Sequence, residues 1–463
     1  MDFPQSSLVV AEAEAGARAA VRRWRGLPEY TAMPLAPEHL AQLTAALLAP
    51  RPRISQVYLY DAAGCELYEW ITRLEHEYYL TAKETELLEE HAADIAQPLA
   101  HLEPPREPAA EPAAEAAASA GAEAASDGAW AAPSNGRVVV VELGAGTGRK
   151  TLLLLSALLR HATHRMKDAV EPLGAHRVGD RAGDGIDHGM DHGMDDGMDD
   201  GIGDGVGDSL ITYAPIDVSA ESLEINARAC APLLGYVGGG VGGGGVGGGG
   251  GVDSRAARLT RRLTHRPLLG DFGARLPETR EWMGSHLYLY LGSSLGNFDD
   301  EEGLSLFRQV RACMRPRRGD RFIVGVDAPH SETKPVCAIE RAYNDGCGIT
   351  AAFTLNALRH LNAIAGTDFD WREGWRHVAE YSRESESIVT HVQAVGAQRV
   401  RNRDGQILRV FAPGERIFME QSRKFSLEAM QRLAAGAGLE LARHWTNRDK
   451  YHLIVELVLP GTV

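Results

Sequence analysis

VVVVELGAGTGRKT, residues Val138–Thr151, is the stretch of this 463-residue chain that decides its fold. Four consecutive valines predict a fully buried strand, and the glycines Gly144, Gly146 and Gly148 predict a tight turn directly after it. Such a turn either closes the loop before the next helix or lets the backbone approach a ligand. The ligand has to be identified from residues elsewhere in the chain.

Two phosphate-binding motifs fit this turn poorly. A Walker A loop, G-x-x-x-x-G-K-[ST], would need glycine at the position of Arg149. A dinucleotide fingerprint needs G-x-G-x-x-G, whereas the glycines here are spaced G-x-G-x-G. The E-x-G-x-G turn of Glu142, Gly144 and Gly146 is instead typical of methyltransferases that bind S-adenosylmethionine (SAM). By itself the turn is also compatible with an ordinary connection between a strand and a helix.

Composition narrows the class of protein. The net charge of −15 argues against nucleic acid or an anionic membrane surface as the main partner. Five cysteines without a C-x-x-C pair argue against a disulfide framework or a structural zinc site. No segment approaches the roughly 18 apolar residues of a membrane span, and the first residues lack the pattern of a secretory signal. We expect a cytoplasmic monomer that acts on a small molecule, with two domains or one domain carrying insertions.

Three low-complexity stretches interrupt the chain. They are a Pro/Ala/Glu-rich segment at 104–135, a G-[MIV]-D-x repeat at 183–208 and a Gly-rich segment at 235–252. None has enough apolar side chains to offset the backbone entropy lost on folding. The Asp/His repeat invites a metal site, but its four-residue period matches neither an EF-hand loop nor the nine-residue calcium repeat. We therefore expect solvated insertions and no metal ion.

Outside these stretches, strand-like and helix-like runs alternate. The valine strand is followed by the helical run TLLLLSALLRHA, the strand LITYAPIDVS and the helical run ESLEINARACAPLL, and further strands follow in HLYLYLGSSLGNF and RFIVGVDA. This alternation predicts an α/β fold, a parallel Rossmann-like sheet that binds ligands beyond its C-terminal strand ends. The last run, LARHWTNRDKYHLIVELVLP, predicts an antiparallel hairpin with its turn at Asn447–Asp449. Such a hairpin favours a class I SAM methyltransferase over a dehydrogenase.

A second module is expected between Tyr343 and Phe425. A helical stretch there gives way to the alternating run ESIVTHVQAVGAQRV and to a turn at NRDGQ. The domain prediction has an N-terminal extension at 1–45, an inserted α+β substrate-binding domain from 46–82 and 329–424, and the Rossmann-like domain from 83–328 and 425–463.

Three further positions suit SAM. Asp217, at the end of the second strand in PIDVS, is placed to bind the ribose hydroxyls. Asp271 and Phe272, in LLGDFG, can bind the adenine amino group and cover its ring, and Lys150 can meet the cofactor's carboxylate. Each position also has an ordinary alternative: a helix-capping aspartate, a core phenylalanine and a surface lysine.

Together, motifs along the chain resemble a known family, the SAM-dependent histidine Nα-methyltransferases that form hercynine for ergothioneine biosynthesis. The resemblance runs from about Tyr58 to Leu457, outside the three low-complexity stretches. It rests on an ordered set of motifs: LYDAAGCELYEWITRL, EYYLTAKETELL, ELGAGTGRKT, YAPIDVS, GDF, LGSSLGN, RAYNDGCGITAAFTLNAL and GERIFMEQSRKF.

This resemblance implies how the substrate is held. The residues expected around the amine and carboxylate of histidine are Tyr60, Tyr78, Gly292, Asn297 and Tyr343. Glu420 and Ser422, in MEQS, would hydrogen-bond the imidazole, which offers one donor and one acceptor. A pocket committed to such bonds rejects analogues that lack them by roughly 10⁴-fold or more. Without the other motifs, MEQSRKF would be interpreted as an edge strand with alternating surface polar residues.

The implied reaction is attack of the neutral α-amine of histidine on the methyl group of SAM, repeated three times to give the trimethylated betaine. Tyr60, or a water beside it, is the expected first proton acceptor, and aromatic faces would accommodate the growing cation. Two departures from the family concern the shape of the pocket. Thr390 stands where the family usually has methionine, and Tyr68 stands where phenylalanine is common.

Three alternatives stay open at this point. The first is a methyltransferase of the same fold that acts on another aromatic amino acid or amine, such as a tryptophan derivative. The second is a non-catalytic SAM-binding protein, and the third is a nucleotide-dependent oxidoreductase. Glu420 and Ser422 favour histidine over tryptophan, and the glycine spacing and the terminal hairpin disfavour the oxidoreductase.

Overall fold

The computed structural model of the protein describes residues 7–30, 32–100, 138–170, 211–234, 263–272 and 284–462, together with Leu276, Thr279 and Trp282. The three low-complexity stretches predicted from the sequence lie outside these residues. Of the helices in the described ranges, none has the length and apolarity that crossing a membrane requires.

Helices and strands alternate along most of the chain. The helices are α1 (Ser7–Arg25), α2 (Pro37–Leu48), α3 (Ala62–Arg73), α4 (Tyr79–Ala100), α5 (Thr151–Val170), α6 (Ala220–Cys230), α7 (Asp300–Cys313), α8 (Val336–Arg341), α9 (Ile349–Ala365) and α10 (Leu427–Ala437). The strands are β1 (Val138–Leu143), β2 (Ile211–Asp217), β3 (Leu263–His265), β4 (Leu268–Leu269), β5 (Ser285–Tyr290), β6 (Arg321–Asp327), β7 (Trp375–Ser382), β8 (Ser387–Ala394), β9 (Gln398–Arg401), β10 (Ile407–Phe411), β11 (Arg416–Arg423), β12 (Glu440–Thr446) and β13 (His452–Val458).

The large sheet has the strand order β12-β13-β6-β5-β1-β2-β3, with β4 also paired to β2. All of its pairs are parallel except those of β13, which runs antiparallel to both β6 and β12. The predicted α/β fold with a terminal antiparallel hairpin is therefore confirmed.

The four valines of β1 place apolar side chains on both faces of the large sheet at its centre. Successive side chains of a strand point to opposite faces. Val139 and Val141 enter the core beneath α7 and α10, while Val138 and Val140 enter the core beneath α4 and α5. Because helices cover both faces, every residue of β1 is buried. Each buried valine contributes roughly 1.5–3 kcal/mol of transfer free energy.

The strand order also locates a crevice. β1 lies between β2 and β5, so the direction of the strand order reverses at β1. Ligands of open α/β sheets bind beyond the C-terminal strand ends at such a reversal. The turn after β1, the loop after β2 and the loop after β5 all begin at this edge.

The described residues divide into two units. Those within 79–327 and 425–462 form the large-sheet unit, and those within 7–78 and 328–424 form a second unit, which we call the small-sheet unit. Its three-stranded sheet has the antiparallel order β11-β8-β7. β9 and β10 pair as a separate hairpin with its turn at 402–406, where Gly405 has a φ of +76°. The turn predicted at NRDGQ is therefore confirmed.

One apolar core holds the small-sheet unit together. It joins Trp24 of α1, Leu67 of α3, Phe353 of α9, Trp375 of β7 and Ile417 of β11. The first helix thus packs with residues from the late part of the chain. The predicted domain boundaries stay a prediction.

Asp327 connects the three places where the chain passes between the two units. Its carboxylate accepts a hydrogen bond from the Tyr79 hydroxyl at 2.8 Å and pairs with the ammonium groups of Lys334 at 2.5 Å and Lys424 at 2.9 Å. Tyr79 begins α4, Asp327 ends β6 and Lys424 follows β11. Burial by itself raises the pKa of Asp327, but Lys334 and Lys424 bring it below its ordinary value. The carboxylate is therefore ionised at neutral pH.

Candidate active site

A cavity lies between the two units, at the loop that follows β5. All the residues predicted to hold the substrate line it: Tyr60, Tyr78, Gly292, Asn297, Tyr343, Glu420 and Ser422. Most of them lie in connections on either side of α3, after β5 and after α8, and only Glu420 and Ser422 lie on a strand, β11. The structure therefore brings the predicted substrate residues together, while their individual roles stay predictions.

β11 positions Glu420 and Ser422. The two residues are two apart on one strand, so their side chains share a face, and that face lines the cavity. β11 is an edge strand of its sheet, but these polar side chains do not point to solvent, since Ser422 is only 7% exposed. Burial raises the pKa of the Glu420 carboxyl to about 7, against the opposing effect of Lys424.

Lys424, Tyr343 and Ser422 form a closed hydrogen-bonded group at the wall of the cavity. The Tyr343 hydroxyl donates to Ser422 Oγ at 2.7 Å. Lys424 Nζ donates to Tyr343 Oη at 3.0 Å and to Ser422 Oγ at 3.1 Å. The hydroxyl proton of Tyr343 is thus committed to Ser422, and its predicted contact with the amine or carboxylate of the substrate stays a prediction.

Aromatic rings form another wall of the cavity. The ring centroids of Tyr60 and Tyr68 are 5.9 Å apart, and Phe353 lies 5.4 Å from Tyr60 and 5.6 Å from Tyr68. Tyr78 meets Tyr343 edge to face at 6.1 Å. The faces of such rings attract cations, including methylated ammonium groups.

Tyr60 stays a phenol in this environment. Burial raises its pKa well above 10, and the neighbouring Tyr68 and Glu420 raise it further. A buried phenol can take up a proton only by passing on its own. If Tyr60 acts on the amine, it therefore acts as a relay and not as a phenolate base.

The loop after β5 brings Asn297 to the cavity. Asn297 ends a short 3-10 turn, Ser294–Asn297, that packs on β11. A Cβ at Gly296 would lie 2.6 Å from the carbonyl oxygen of Arg423, so this approach requires glycine. Ser293, just before the turn, lines the cavity with a left-handed backbone (φ +60°) and is buried, and its Oγ has no hydrogen-bond partner in the described structure. A ligand in the cavity can use that hydroxyl.

Lys150 pairs with a carboxylate of the protein itself. Its ammonium pairs with Glu84, a fully buried residue of α4. The two oxygens of Glu84 also accept the backbone N–H of Gly292, at 2.8 and 2.9 Å. Lys150 is thus no surface lysine, and a cofactor carboxylate would have to share it with Glu84. Its role toward the cofactor stays a prediction.

The glycine-rich turn leaves room for a ligand. Gly144, Gly146 and Gly148 have φ values of +65°, +50° and +70°, which glycine adopts without strain. A Cβ at Gly148 would lie 2.5 Å from the side chain of Asn226, so packing requires that glycine. A Cβ at Gly146 would meet no heavy atom within 4 Å. The backbone at Gly146 therefore borders open space, which fits a bound SAM molecule.

Asp217 lies beside this turn. Its two carboxylate oxygens accept the backbone N–H groups of Gly146 and Ser219, both at 2.9 Å. Ser219, and not Asp217, is the N-cap of α6. The helix-capping alternative for Asp217 is therefore wrong, and the remaining lone pairs of its carboxylate suit ribose hydroxyls.

Phe272 stands next to the same turn. Its Cζ atom is 3.3 Å from the position that a Cβ of Gly144 would take, and its ring centroid is 5.6 Å from that of Tyr290. Part of the ring also packs on the core beneath α7 and α10. Asp271, its neighbour, is exposed. The pair thus reaches the predicted cofactor region, and its contacts with adenine stay a prediction.

The two family departures lie at the cavity or beside it. Tyr68 lines the cavity. Thr390 is 1% exposed and lies opposite Glu420 in the β8–β11 pairing. A threonine at this position leaves more room beside Glu420 than the methionine usual in the family would.

Several residues of the site were not singled out in the sequence. The additional lining residues are Ile71, Leu80, Ser293, Ser294, Thr350 and Phe353. Thr350 and Phe353 lie three apart in ITAAFTLNAL, a spacing that places both on one face of a helix. That spacing was the available signal for α9. Glu84 and Lys424 had none, because the charged groups that they pair with, Lys150 and Asp327, are distant in sequence.

A family model described as "Histidine-specific methyltransferase, SAM-dependent" matches residues 39–170 and 204–458. The chain belongs to this family. It is therefore a SAM-dependent methyltransferase with a small-molecule amino-acid substrate, which confirms the predicted cofactor, enzyme class and family. The oxidoreductase alternative no longer applies.

Relatives in this family carry matching names. The chain is 27% identical to a histidine N-alpha-methyltransferase of Mycobacterium tuberculosis, over 84% of this chain and 85% of that protein. It is 26% identical to a histidine N-alpha-methyltransferase of Mycolicibacterium smegmatis, over 91% of this chain and 95% of that protein. It is also 26% identical to ergothioneine biosynthesis protein 1 of Neurospora crassa, over 87% of this chain but only 32% of that longer protein.

Proposed function

We propose that this histidine-specific methyltransferase transfers three methyl groups in succession to the α-amine of L-histidine and so forms hercynine. The observation that carries the proposal is the pairing of Glu420 with Ser422 on one face of β11, inside the cavity. A carboxylate and a hydroxyl together satisfy one donor and one acceptor, which is what a neutral imidazole presents. The names of the two mycobacterial relatives support the α-nitrogen as the site of methylation.

The cofactor would bind at the edge of the large sheet beside this cavity. Gly144 and Gly146 would contact it through the backbone, Asp217 would bind the ribose hydroxyls, and Asp271 with Phe272 would bind and cover the adenine. Lys150, shared with Glu84, would face the carboxylate of the cofactor. SAM, when bound there, supplies an electrophilic methyl group.

The protein itself orients the amine and manages its proton. Tyr60, Tyr78, Gly292 and Asn297 surround the part of the cavity where the amine and carboxylate of histidine are proposed to lie. When the amine nitrogen forms its new bond to carbon, it must lose a proton before the next transfer. Tyr60, held as a phenol, would relay that proton to water.

Aromatic rings in the cavity would stabilise the positive charge of the product. After the third transfer the nitrogen carries a permanent positive charge and no proton. The rings of Tyr60, Tyr68 and Phe353 provide faces for that cation, each worth roughly 0.5–2 kcal/mol. The cavity therefore does not oppose trimethylation.

Mass spectrometry of the products tests this proposal. Purified protein is incubated with SAM and, in parallel, with histidine, tryptophan and tryptamine. We expect mono-, di- and trimethylated histidine to appear in sequence, with fragmentation placing all three groups on the α-nitrogen. Methylation of tryptophan without histidine would overturn the substrate assignment. Cofactor binding by calorimetry with no product from any amine would favour a non-catalytic SAM-binding protein.

A variant tests the site separately. Glu420→Ala removes the carboxylate that is proposed to accept the ring N–H. We expect a steep rise in the KM for histidine, roughly 10-fold to 100-fold, with unchanged affinity for SAM. Unchanged histidine kinetics would remove Glu420 from the site without touching the assignment of the substrate.

A further inference from the structure

We propose that Lys424 is a positioning residue that fixes the hydroxyl of Ser422 as a hydrogen-bond donor toward the substrate, so that the cavity selects rings with an N–H and a bare nitrogen. The inference rests on the proposed function, because it takes histidine as the substrate. Lys424 itself does not line the cavity and acts through Ser422.

The direction of each hydrogen bond follows from the chemistry of the donors. A lysine ammonium has three protons and no acceptor site. Lys424 therefore donates to both Ser422 Oγ and Tyr343 Oη. Because Tyr343 accepts from Lys424, its single proton is free to be donated, and it is donated to Ser422 at 2.7 Å.

The hydroxyl of Ser422 has three hydrogen-bonding positions, and two of them are used by Lys424 and Tyr343. A serine hydroxyl has two lone pairs and one proton. Both lone pairs accept, one from Lys424 and one from Tyr343. No hydrogen bond from Ser422 to another protein atom occurs among the described residues. The hydroxyl proton is therefore left for a ligand in the cavity.

Glu420 supplies the opposite partner. An ionised carboxylate only accepts hydrogen bonds. Burial raises the pKa of Glu420 to about 7, against the opposing effect of Lys424, so the ionised form predominates above that pH and the selection applies there. One ring group must then donate to Glu420 while another accepts from Ser422. A neutral imidazole does both. An indole offers only its N–H. It would leave the hydroxyl proton of the buried Ser422 without an acceptor on the ligand.

The fold does not depend on Lys424 alone. Lys424 is held by Asp327, and the same carboxylate also binds Lys334 and Tyr79. Removing Lys424 leaves Asp327 with a cation and a hydroxyl. Lys334 is equally buried, but its donated bonds go to Asp327 and to the carbonyl oxygens of Ala328 and Tyr451. It offers a matched control, because it shares the anchor without touching Ser422.

The first experiment compares Lys424→Met with Lys334→Met in the full chain. We expect Lys424→Met to raise the KM for histidine on the order of tenfold, with little change in kcat and in the dissociation constant for SAM. Lys334→Met should lower the thermal midpoint without this KM effect. Equal changes of KM in the two variants would show that Lys424 acts only on the fold and would overturn the inference.

A double-mutant cycle with Ser422→Ala gives the decisive comparison. If Lys424 acts through Ser422, then Lys424→Met should add less than about twofold to the KM of the Ser422→Ala enzyme. A full tenfold effect in that background would overturn the inference. If wild-type enzyme does not methylate histidine at all, the proposed function fails, and that outcome is distinct from both.

Substrate analogues test the direction of the hydrogen bond without altering Lys424. The thiazolylalanines carry a bare ring nitrogen and no N–H, whereas pyrrolylalanine carries an N–H and no bare nitrogen. We expect Ser422→Ala to weaken competitive inhibition by at least one thiazolylalanine and to leave inhibition by pyrrolylalanine unchanged. The reverse pattern would show that Ser422 accepts, and would contradict the proposal.

Discussion

Lys150 and Glu84 form a buried ion pair, and the oxygens of Glu84 also hold the backbone N–H of Gly292. Lys150 follows the glycine-rich turn, where the cofactor is predicted, while Gly292 lines the cavity predicted to hold the substrate. One carboxylate from α4 therefore joins the two predicted sides of the active site. Although burial itself raises the pKa of Glu84, Lys150 and His452 bring it below its ordinary value.

Replacing Glu84 tests this connection. Glu84→Gln leaves the ammonium of Lys150, whose side chain is 24% exposed, without its counter-ion, which should cost up to about 3–5 kcal/mol of unfolding free energy at pH 7. Because the native pKa of Glu84 is depressed, the stabilisation is present above its unfolded pKa and is lost as the pH falls through its native pKa. Urea unfolding at several pH values measures it. Glu14→Gln, which breaks an exposed pair with Arg18, should have far less effect on the free energy of unfolding, and an equal loss in both variants would contradict the role of Glu84.

Glu420 should make the protein less stable at high pH. Its pKa is raised from the ordinary 4.5 to about 7, so the charged form is disfavoured in the folded protein. The favourable contribution is therefore fully present below pH 4.5 and is lost as the pH rises through 7. Glu420→Gln should then stabilise the protein at pH 8 by up to about 3 kcal/mol, with little effect at pH 4. Thermal unfolding at both values checks this, and stabilisation that is independent of pH would contradict it.

Asp217→Asn should weaken the binding of SAM and leave the binding of histidine nearly unchanged. The amide keeps the size of the side chain but has one acceptor oxygen, and the backbone N–H groups of Gly146 and Ser219 already need two. We expect the dissociation constant for SAM to rise about 10-fold to 100-fold, with the KM for histidine nearly unchanged at saturating SAM. Calorimetry with SAM and steady-state kinetics separate the two effects. Glu221→Gln, an exposed carboxylate in the first turn of α6, is the matched control, and the same loss there would point to general electrostatics.

Tyr60→Phe distinguishes the proposed role of the Tyr60 hydroxyl in proton relay from the role of its ring in shaping the cavity. The ring stays against Tyr68 and Phe353, and only the hydroxyl is lost. If Tyr60 relays the proton of the amine, kcat should fall by roughly 10²-fold or more, and the KM for histidine should change less. Tyr58→Phe, two residues earlier on the same turn, removes a hydroxyl that does not line the cavity. Rapid-quench measurement of the first methyl transfer decides the matter, and an unchanged rate would exclude Tyr60 as the relay.

The overall fold could be predicted from the sequence because the patterns that indicate its strands and turns are local. Four valines in a row predict a strand buried on both faces, and β1 is buried throughout. The run LARHWTNRDKYHLIVELVLP predicted the hairpin of β12 and β13, because two strand-like segments flank the turn at Asn447–Asp449. The members of the cavity followed from the ordered set of motifs taken together, since MEQSRKF without the other motifs would have been interpreted as an edge strand.

The electrostatics of the site could not be predicted in this way. Lys150 and Glu84 are joined only because α4 packs against α5, and nothing within either segment encodes the partner. The hydrogen bonds of Ser422 depend on Lys424, which in turn depends on Asp327 at the end of another strand. Such pairings are decided by three-dimensional contact, so the sequence identified Lys150 and Ser422 but not the residues that hold them.

The carboxylate of Asp327 holds the three chain connections together through its bonds to Tyr79, Lys334 and Lys424. Ser422 reaches this carboxylate through Lys424. The wall of the cavity at Ser422 is therefore anchored where the two units join. A histidine ring bound at Ser422 would meet a wall that belongs to both units at once.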